Sequence, residues 1–598
     1  MMLVILYYFL LIVAGCSSAE PDEPYDYSAS IECLVEPLAP QYGGGLVTNP
    51  GFDSGLGEWS IYATGKIELR VSKTGNKFLA AYRRYQPVDS FARRFHLKSK
   101  FLYTFSAWVQ VDIGKEFVTA VLKAPNPPNI IIGHVVAKSG CWSMLKGGFT
   151  VDQDMYTPLY FQSNNTKVEL WVDNVSLKPF SRKQWRNQQH KSIDQVRKKK
   201  IRIHVTDDVG QNIEGAKITL NETIPHFHLG CSSTEAILNN KPYQNWFTPR
   251  FTATTFNNEM KWYYTEVYQG KENYTVPDAM VSFFQNHRIS IRGHTILWAN
   301  RDAIPFWAKN LSRGHEGNLP NREILNASIR RMASIVSRYA GKVIAWDVFN
   351  ENLHYSYYED EVIGPNASGM IYQIARALDP KTPLYINEFN VMEHLMDMQV
   401  TPSSYVEKVR QIRSYPGNEK LVIGLGIQGH FGSRPNVSHV RAVLDYLGET
   451  KMPIWFTELD TKRGPNQAVH LEDVLREAYA HPAVEGIIIW GGWKPTACNQ
   501  TCLTDRNFDV LPKGCAEMCL TDNNFNNLPT GDVVDKLIRE WKTTNVKGVT
   551  DKNGTFESNV FQGGYSLTIS HPKIPSVVQK KIRVINENAG ALELSISL

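Results

Sequence analysis

Eight short apolar runs, each followed by an amphipathic stretch, occupy residues 223–543 and decide what this part of the chain can become. They are HFHLGCSS (226–233), TATTFNNEMKW (252–262), ISIRGHTILW (289–298), VIAWDVFNE (343–351), PLYINEFN (383–390), VIGLGIQGHF (422–431), PIWFTELD (453–460) and GIIIWGGW (486–493). Apolar runs of this length read as strands buried on both faces. Stretches between them, such as Arg322–Tyr339 and Leu471–Ala480, carry apolar residues at helical spacing. Eight strand–helix units in about 320 residues predict an α/β fold, a closed (β/α)8 TIM barrel. A doubly wound sheet would use fewer strands and usually a glycine-rich phosphate turn, which the sequence lacks.

The rest of the chain has a different texture. Residues 45–180 carry short alternating runs, KIELRV (66–71) and FLYTFSAWV (101–109), separated by Gly, Asn and Pro turns. They predict an all-β sandwich ahead of the barrel. Residues 20–44 are Pro-rich and read as a leader or linker, and 181–222 as a polar linker with short strands. The tail, 544–598, reads as a β-rich extension that meets the strands near 201–220 in a small sheet. Residues 1–19, apolar from Met1 to Ala14 and ending on small residues, read as a signal peptide. The run is short of the roughly 20 residues that a membrane span needs. Ten Asn-x-Ser/Thr sequons between Asn164 and Asn553 agree with export. Cleavage after Ala19 leaves seven cysteines, Cys33, Cys141, Cys231, Cys498, Cys502, Cys515 and Cys519, so at least one lacks a partner within the chain.

The last four form two C-x3-C pairs that resemble zinc ligands, but no His is near and the compartment is oxidising, so disulfides are expected. No metal or organic cofactor is expected. Basic and acidic residues number 64 and 59, near balance for 598 residues, so nothing calls for a nucleic-acid or membrane partner. The run Arg197–Lys200 reads as a solvated linker face, and a monomer is expected. Residues 498–514 and 515–531 are near-copies of each other. This local tandem duplication is either a loop insertion or a coding error.

Side chains at the C-terminal ends of barrel strands share one mouth. The runs end in Asn258, Lys261, His294, Trp298, Asn350, Glu351, Gln428, His430, Glu458, Asp460 and Trp490. Glu351 and Glu458 close the fourth and seventh runs and therefore face each other. Paired carboxylates over a sugar-sized cleft are the apparatus of glycoside hydrolysis, one holding a proton and one ionised. A single strand-end Glu is most simply a buried ion-pair partner. Two, amid His, Gln, Asn, Lys and Trp, point to chemistry.

NNEMKW, RGHTILW, WDVFNEN, IQGH, FTELD and the Trp490 strand, in this order, resemble glycoside hydrolase family 10, the endo-1,4-β-xylanases. NPGFDSGLGEWS, SGCWSMLKGG and ELWVDNVSL resemble carbohydrate-binding module family 22. The layout is similar to that of a plant cell-wall xylanase. The resemblance implies a retaining mechanism with Glu351 as general acid/base and Glu458 as nucleophile. It places Asn350 on the sugar 2-hydroxyl, His430 against Glu458 with Asp460 holding His430, and Gln428 and His294 on the sugar beside the cleaved bond. Asn258 and Lys261 would bind hydroxyls on the non-reducing side, with Trp298 and Trp490 as stacking faces. The implied substrate is xylan or a xylo-oligosaccharide, and the implied location is extracellular, in the cell wall.

Three positions depart from the pattern. Asn257 stands where the family usually has Glu, and Cys498 where it has a second Trp, with Trp493 as the candidate replacement. In the module, Tyr160 matches but Gln162 stands where Glu is common, so glycan binding and a spacer role both stay open. Transfer to another glycan, a wall-binding protein with weak catalysis, and cellulose as substrate are the rival readings.

Overall fold

The computed structural model describes residues 23–311, 321–505, 507, 508, 510–512, 514–572, 574–586 and 590–598. The signal-peptide segment 1–19 lies outside the described residues.

Eight parallel strands form the barrel: β1 (His228–Ser233), β2 (Ala253–Phe256), β3 (Ser290–Trp298), β4 (Ala345–Asn350), β5 (Leu384–Glu388), β6 (Ile423–Ile427), β7 (Ile454–Thr461) and β8 (Val484–Ile489). Each pairs with the next, and β8 returns to β1 with Cys231 opposite Ile489, so the sheet has no edge. Every residue of β2, β4, β5 and β6 is buried, which is why these strands read as continuous apolar runs. Inside, large rings fill space beside glycine: a Cβ on Gly293 would come within 2.3 Å of Trp346, and one on Gly424 within 2.2 Å of Tyr385.

The helix Arg322–Tyr339 buries Ile324, Ala327, Met332, Ile335 and Val336 against the sheet. Arg331 is buried on the same face. It donates to the carbonyls of Ile296 (3.2 Å) and Thr295 (3.2 Å), to Thr265 Oγ1 (3.0 Å) and to the Met260 carbonyl. A buried cation is tolerated when its donors are satisfied, and here it ties together the segments carrying Lys261 and His294.

Two antiparallel five-stranded sheets make the sandwich, packed over a core that includes Phe91, Phe105, Leu145 and Phe161. The linker reading of 181–222 is corrected. Arg182–Val196 is an α-helix with a Ser181/Gln184 capping box. Its polar surface is a docking face: Trp185 Nε1 and Gln189 Nε2 donate to Glu477 Oε2 (2.9 and 2.8 Å). The described part of the 20–44 segment, residues 23–44, is likewise packed, with Tyr25 donating to Asp445 (2.6 Å) and Cys33 bonded to Cys141.

The segments flanking the barrel meet behind it. Lys198–Thr206 lies between Thr555–Phe561 and Leu592–Ser597, and Lys217–Pro225 between Val546–Val549 and Gly563–His571. The sandwich packs on the helix Val437–Gly448 through a buried Lys146–Asp445 pair (2.7 Å). Asn436 Nδ2 donates to the Gly148 carbonyl (2.9 Å), so the amide of that sequon is taken up by the interface.

Cys498–Cys519 and Cys502–Cys515 join one copy of the duplicated segment to the other, and Cys231 is buried without a disulfide. Among the described residues no helix is long and apolar enough to cross a membrane.

Candidate active site

β4 delivers Asn350 and, one residue on, Glu351; β7 delivers Glu458. Glu351 leaves the strand at φ 57°, a left-handed conformation that costs a non-glycine residue about 1–2 kcal/mol. Its N–H donates to the Asn387 carbonyl (2.9 Å) and its carbonyl accepts from Tyr355 (3.1 Å), which hold the turn. Trp298 Nε1 donates to Glu351 Oε2 (2.7 Å) and Gln428 Nε2 to Oε1 (2.9 Å). Burial pushes the Glu351 carboxyl above its ordinary range. The Gln428 and Trp298 bonds pull part of the way back, and the neighbouring Glu458 charge pushes it up again.

Glu458 is buried to a similar degree, 6 % exposed against 8 % for Glu351, but titrates in the opposite direction. Burial alone would raise it. The His430 hydrogen bond and the charges of His294, His430 and Lys261 outweigh burial and hold the carboxyl at about 2. His430 Nε2 lies 3.5 Å from Oε2 and His294 Nε2 4.0 Å from Oε1, and Asn387 Nδ2 donates to Oε1 (2.9 Å). Burial works against a charged His430, but Asp460 at 3.0 Å and Glu458 raise it well above the ordinary imidazole value. Asp460, His430 and Glu458 thus form a row of alternating charge.

Around this pair, Lys261 Nζ sits 4.8 Å from the Trp298 ring centroid and 5.8 Å from that of Trp490. Burial lowers its pKa against the pull of Glu458 and Glu351. The His294 ring lies 5.9 Å from Trp490 and 6.5 Å from Trp298. Asn350 Oδ1 accepts from Asn387 Nδ2 (2.8 Å), which turns Asn350 Nδ2 away; among the described residues that buried donor has no partner. Asn258 stands apart at the exposed rim, its Oδ1 accepting from the Tyr263 hydroxyl (2.7 Å). Every other residue singled out at the strand ends belongs to one connected set of contacts.

A glycosyl hydrolase family 10 model matches residues 220–518, and a carbohydrate binding domain model matches 44–167. "Endo-1,4-beta-xylanase 5-like" of Arabidopsis thaliana is 36 % identical over 567 residues, covering 93 % of this chain and 91 % of that protein. "Endo-1,4-beta-xylanase 4" of the same plant is 33 % identical over 605 residues, covering 99 % and 97 %. The chain belongs to glycosyl hydrolase family 10. Among solved structures, the CBM22-1 and GH10 modules of a Clostridium thermocellum endo-1,4-beta-D-xylanase complexed with xylohexaose are 15 % identical, with a TM-score of 0.41 over 83 % of this chain and 97 % of that one.

Within this family 10 hydrolase, several supporting residues escaped the sequence reading. Asn387 lies opposite Asn350 in the β4–β5 register, and Thr457 Oγ1 donates to its Oδ1 (2.5 Å), fixing the amide that reaches both Asn350 and Glu458. Applying the strand-end rule to NEFN would have found it. Arg292 and Asp347 lie deeper, with Asp347 Oδ2 3.0 Å from His294 Nδ1 and Arg292 on its other oxygen. His354 follows Glu351 and meets Glu388 (2.6 Å). The expectation that Trp493 replaces the missing Trp is not met. Its ring, 7 % exposed, packs on Tyr243 and Phe525 at 4.7 and 4.8 Å and donates to Asn523 (3.1 Å), while Cys498 is buried in its disulfide. Asn257 Oδ1 is buried without a partner among the described residues. In the sandwich, Tyr160 is 2 % exposed and stacks on Tyr62 (4.2 Å), so its ring is not an open platform.

Proposed function

We propose that this protein is a secreted, monomeric, retaining endo-1,4-β-xylanase that cleaves internal β-1,4-xylosidic bonds of cell-wall xylan without metal or organic cofactor. The arrangement that carries the reading is the pair of mouth carboxyls in unlike surroundings: Glu351 accepts from Trp298 (2.7 Å) and Gln428 (2.9 Å), while Glu458 faces His430 (3.5 Å) and accepts from Asn387 (2.9 Å), so that burial raises the first and His430 helps to hold the second at about 2. Over the pH range between them, one donates a proton while the other is a bare nucleophile. The xylanase names of the relatives point to the substrate. The disulfides suit an oxidising, extracellular compartment.

In the first step Glu458 attacks the anomeric carbon. The glycosidic bond breaks, and Glu351 gives its proton to the departing oxygen. Forming the glycosyl ester consumes the Glu458 charge, one of the groups that raise Glu351. The Glu351 carboxylate, now less crowded by like charge, takes a proton from water. The resulting hydroxide equivalent attacks the anomeric carbon and breaks its bond to the Glu458 oxygen, a second inversion that releases the sugar with retained configuration, the Glu458 carboxylate and a protonated Glu351. Asn350 Nδ2 donates to the 2-hydroxyl, and His430, backed by Asp460, keeps Glu458 ionised. His294 and Gln428 contact the sugar at the cleavage point, Lys261 and Asn258 the hydroxyls beyond it, and Trp298 and Trp490 supply ring faces.

Recombinant protein incubated with glucuronoxylan, arabinoxylan and soluble cellulose tests this. Xylo-oligosaccharides of mixed length from the xylans, with the β anomer formed first, are expected. An inverted first product, or release from cellulose alone, overturns the reading.

A further inference from the structure

The loop after β5 is bonded both to the turn that carries Gln428 and His430 and to the turn that follows Glu351. Glu393 Oε1 accepts from the backbone N–H groups of Gly429 (2.7 Å) and His430 (3.2 Å), and Oε2 from Met392 N–H (2.8 Å). Gly429 has φ +84°, and successive N–H groups facing one way form a nest for an anion. The turn so held carries Gln428, which donates to Glu351, and His430, which faces Glu458. It is also bonded to β7, since Glu458 N–H donates to the Gln428 carbonyl (2.9 Å).

The same loop grips the turn that carries Glu351. Asp397 Oδ2 lies 2.8 Å from His354 Nε2 and accepts from Asn390 (2.9 Å). The His354 ring stacks on Phe389 with centroids 3.7 Å apart. Its Nδ1 meets Glu388, whose Oε2 accepts from Leu353 N–H (2.9 Å). Gln399 Nε2 donates to the carbonyls of Leu353 and His354 (3.1 Å each). These bonds follow directly on the left-handed Glu351 backbone, a conformation that persists only where its surroundings determine it.

The far side of the loop is bonded to the sandwich. His134, on the strand Ile130–Lys138, has Nε2 2.6 Å from the Leu395 carbonyl and Nδ1 3.0 Å from Thr119 Oγ1. A carbonyl only accepts, so Nε2 carries the proton and Nδ1 accepts from the hydroxyl. Burial, which lowers the pKa of His134, agrees with that neutral ring.

We propose that residues 389–400 are a strap that sets the positions of Glu351 and Glu458 together, with Glu393 as its central positioning residue and the sandwich residue His134 as its outer anchor. The inference rests on the proposed reading of Glu351 and Glu458 as the reacting pair. It gives the sandwich a part in turnover that needs no glycan bound to it.

The test uses the full chain as wild type, Glu393→Ala, Glu393→Gln and His134→Ala. Each is assayed for kcat and KM on xylohexaose, for the pH dependence of kcat/KM, and for melting temperature. The His430 titration is followed by NMR on histidine-labelled protein without substrate. Misplacement of a catalytic group by a fraction of an ångström to 1 Å costs on the order of tenfold to a hundredfold. Glu393→Ala is therefore expected to lower kcat about tenfold or more, with KM within about threefold.

Its acid limb moves up as His430 leaves Glu458, and the His430 titration moves down. Glu393→Gln, which keeps an acceptor oxygen, restores most of kcat, and His134→Ala lowers it a few-fold. An unchanged kcat in folded Glu393→Ala, or a loss that follows melting temperature with the pH profile and the His430 titration unmoved, overturns the strap. Wild-type protein inert on xylan with a shifted His430 in Glu393→Ala would instead keep the strap and remove the xylanase reading.

Discussion

Replacing His430 with alanine isolates what keeps Glu458 ionised. The imidazole lies 3.5 Å from the carboxylate, and two unit charges at that distance attract by about 5 kcal/mol at an effective dielectric of 20. Burial opposes ionisation as the largest single influence on Glu458, yet the carboxyl ends at about 2 against an ordinary 4.5. That net depression corresponds to about 3 kcal/mol at 1.36 kcal/mol per unit. Without His430, the His294 charge 4.0 Å away and Lys261 stay, but burial stays too. The Glu458 carboxyl is then expected to rise by about two units or more, which brings it towards the range of Glu351.

The kinetic consequence has a definite sign. As the proposed nucleophile, Glu458 must be ionised to attack, so the acid limb of kcat/KM is expected to follow its titration in the free enzyme. In the wild type the limb lies at the acid extreme; in His430→Ala it moves up by about two pH units, and the bell narrows from that side. Initial rates on a xylo-oligosaccharide, measured every half unit from pH 3 to 8 with circular dichroism at each point, give the profile. A uniform loss of rate with the acid limb unmoved would show that His430 does not set the charge of Glu458, and the argument for one proton shared unequally would fail with it.

Glu458→Gln should abolish xylan cleavage while the protein stays folded; wild-type rates would remove Glu458 as the nucleophile. The same variant tests linkage. A carboxyl depressed from 4.5 to about 2 contributes stability that is present above pH 4.5 and lost as the pH falls towards 2. The melting-temperature difference between wild type and Glu458→Gln should therefore shrink steadily between pH 5 and 3, and a constant difference would contradict the low titration. Lys146→Met breaks the buried pair with Asp445 and leaves that carboxylate with its contacts to Tyr25 (2.6 Å) and His481 (3.0 Å). A cost of about 3–5 kcal/mol is expected, seen as faster protease cleavage where the sandwich joins the barrel, and an unchanged cleavage rate would show that the pair does not hold the domains.

The barrel was legible because its strands are buried on both faces, so eight unbroken apolar runs announce themselves without any tertiary knowledge. The mouth was legible for the same reason reversed: Glu351 and Glu458 are carboxylates at the ends of otherwise largely apolar runs. What stayed hidden depends on partners far away in sequence. Residues 182–196 are mostly polar, and only the Glu477 carboxylate on a helix almost 300 residues later turns Trp185 and Gln189 into a docking face. Asn387 looks like a turn residue until the β4–β5 register sets it against Asn350. Trp493 carried the right ring at a plausible place, but the side it faces was set by Tyr243 and Phe525, from either end of the barrel sequence.

The duplicated segment shows how two copies of one sequence acquire different work. In the second copy Leu520 is buried, Phe525 packs on Trp493, and Pro529 opens the last helix of the barrel. In the first copy Leu503 is only partly buried against the barrel core, and Val510 is 72 % exposed. That copy is nonetheless fastened: both of its cysteines pair with those of the second copy. Arg463, just beyond β7, donates to the carbonyls of Cys502 (2.6 Å) and Cys515 (2.7 Å), one from each copy. A segment inserted without consequence would hang from its two ends. This one is closed by two disulfides and by a guanidinium just beyond β7, the strand that carries Glu458.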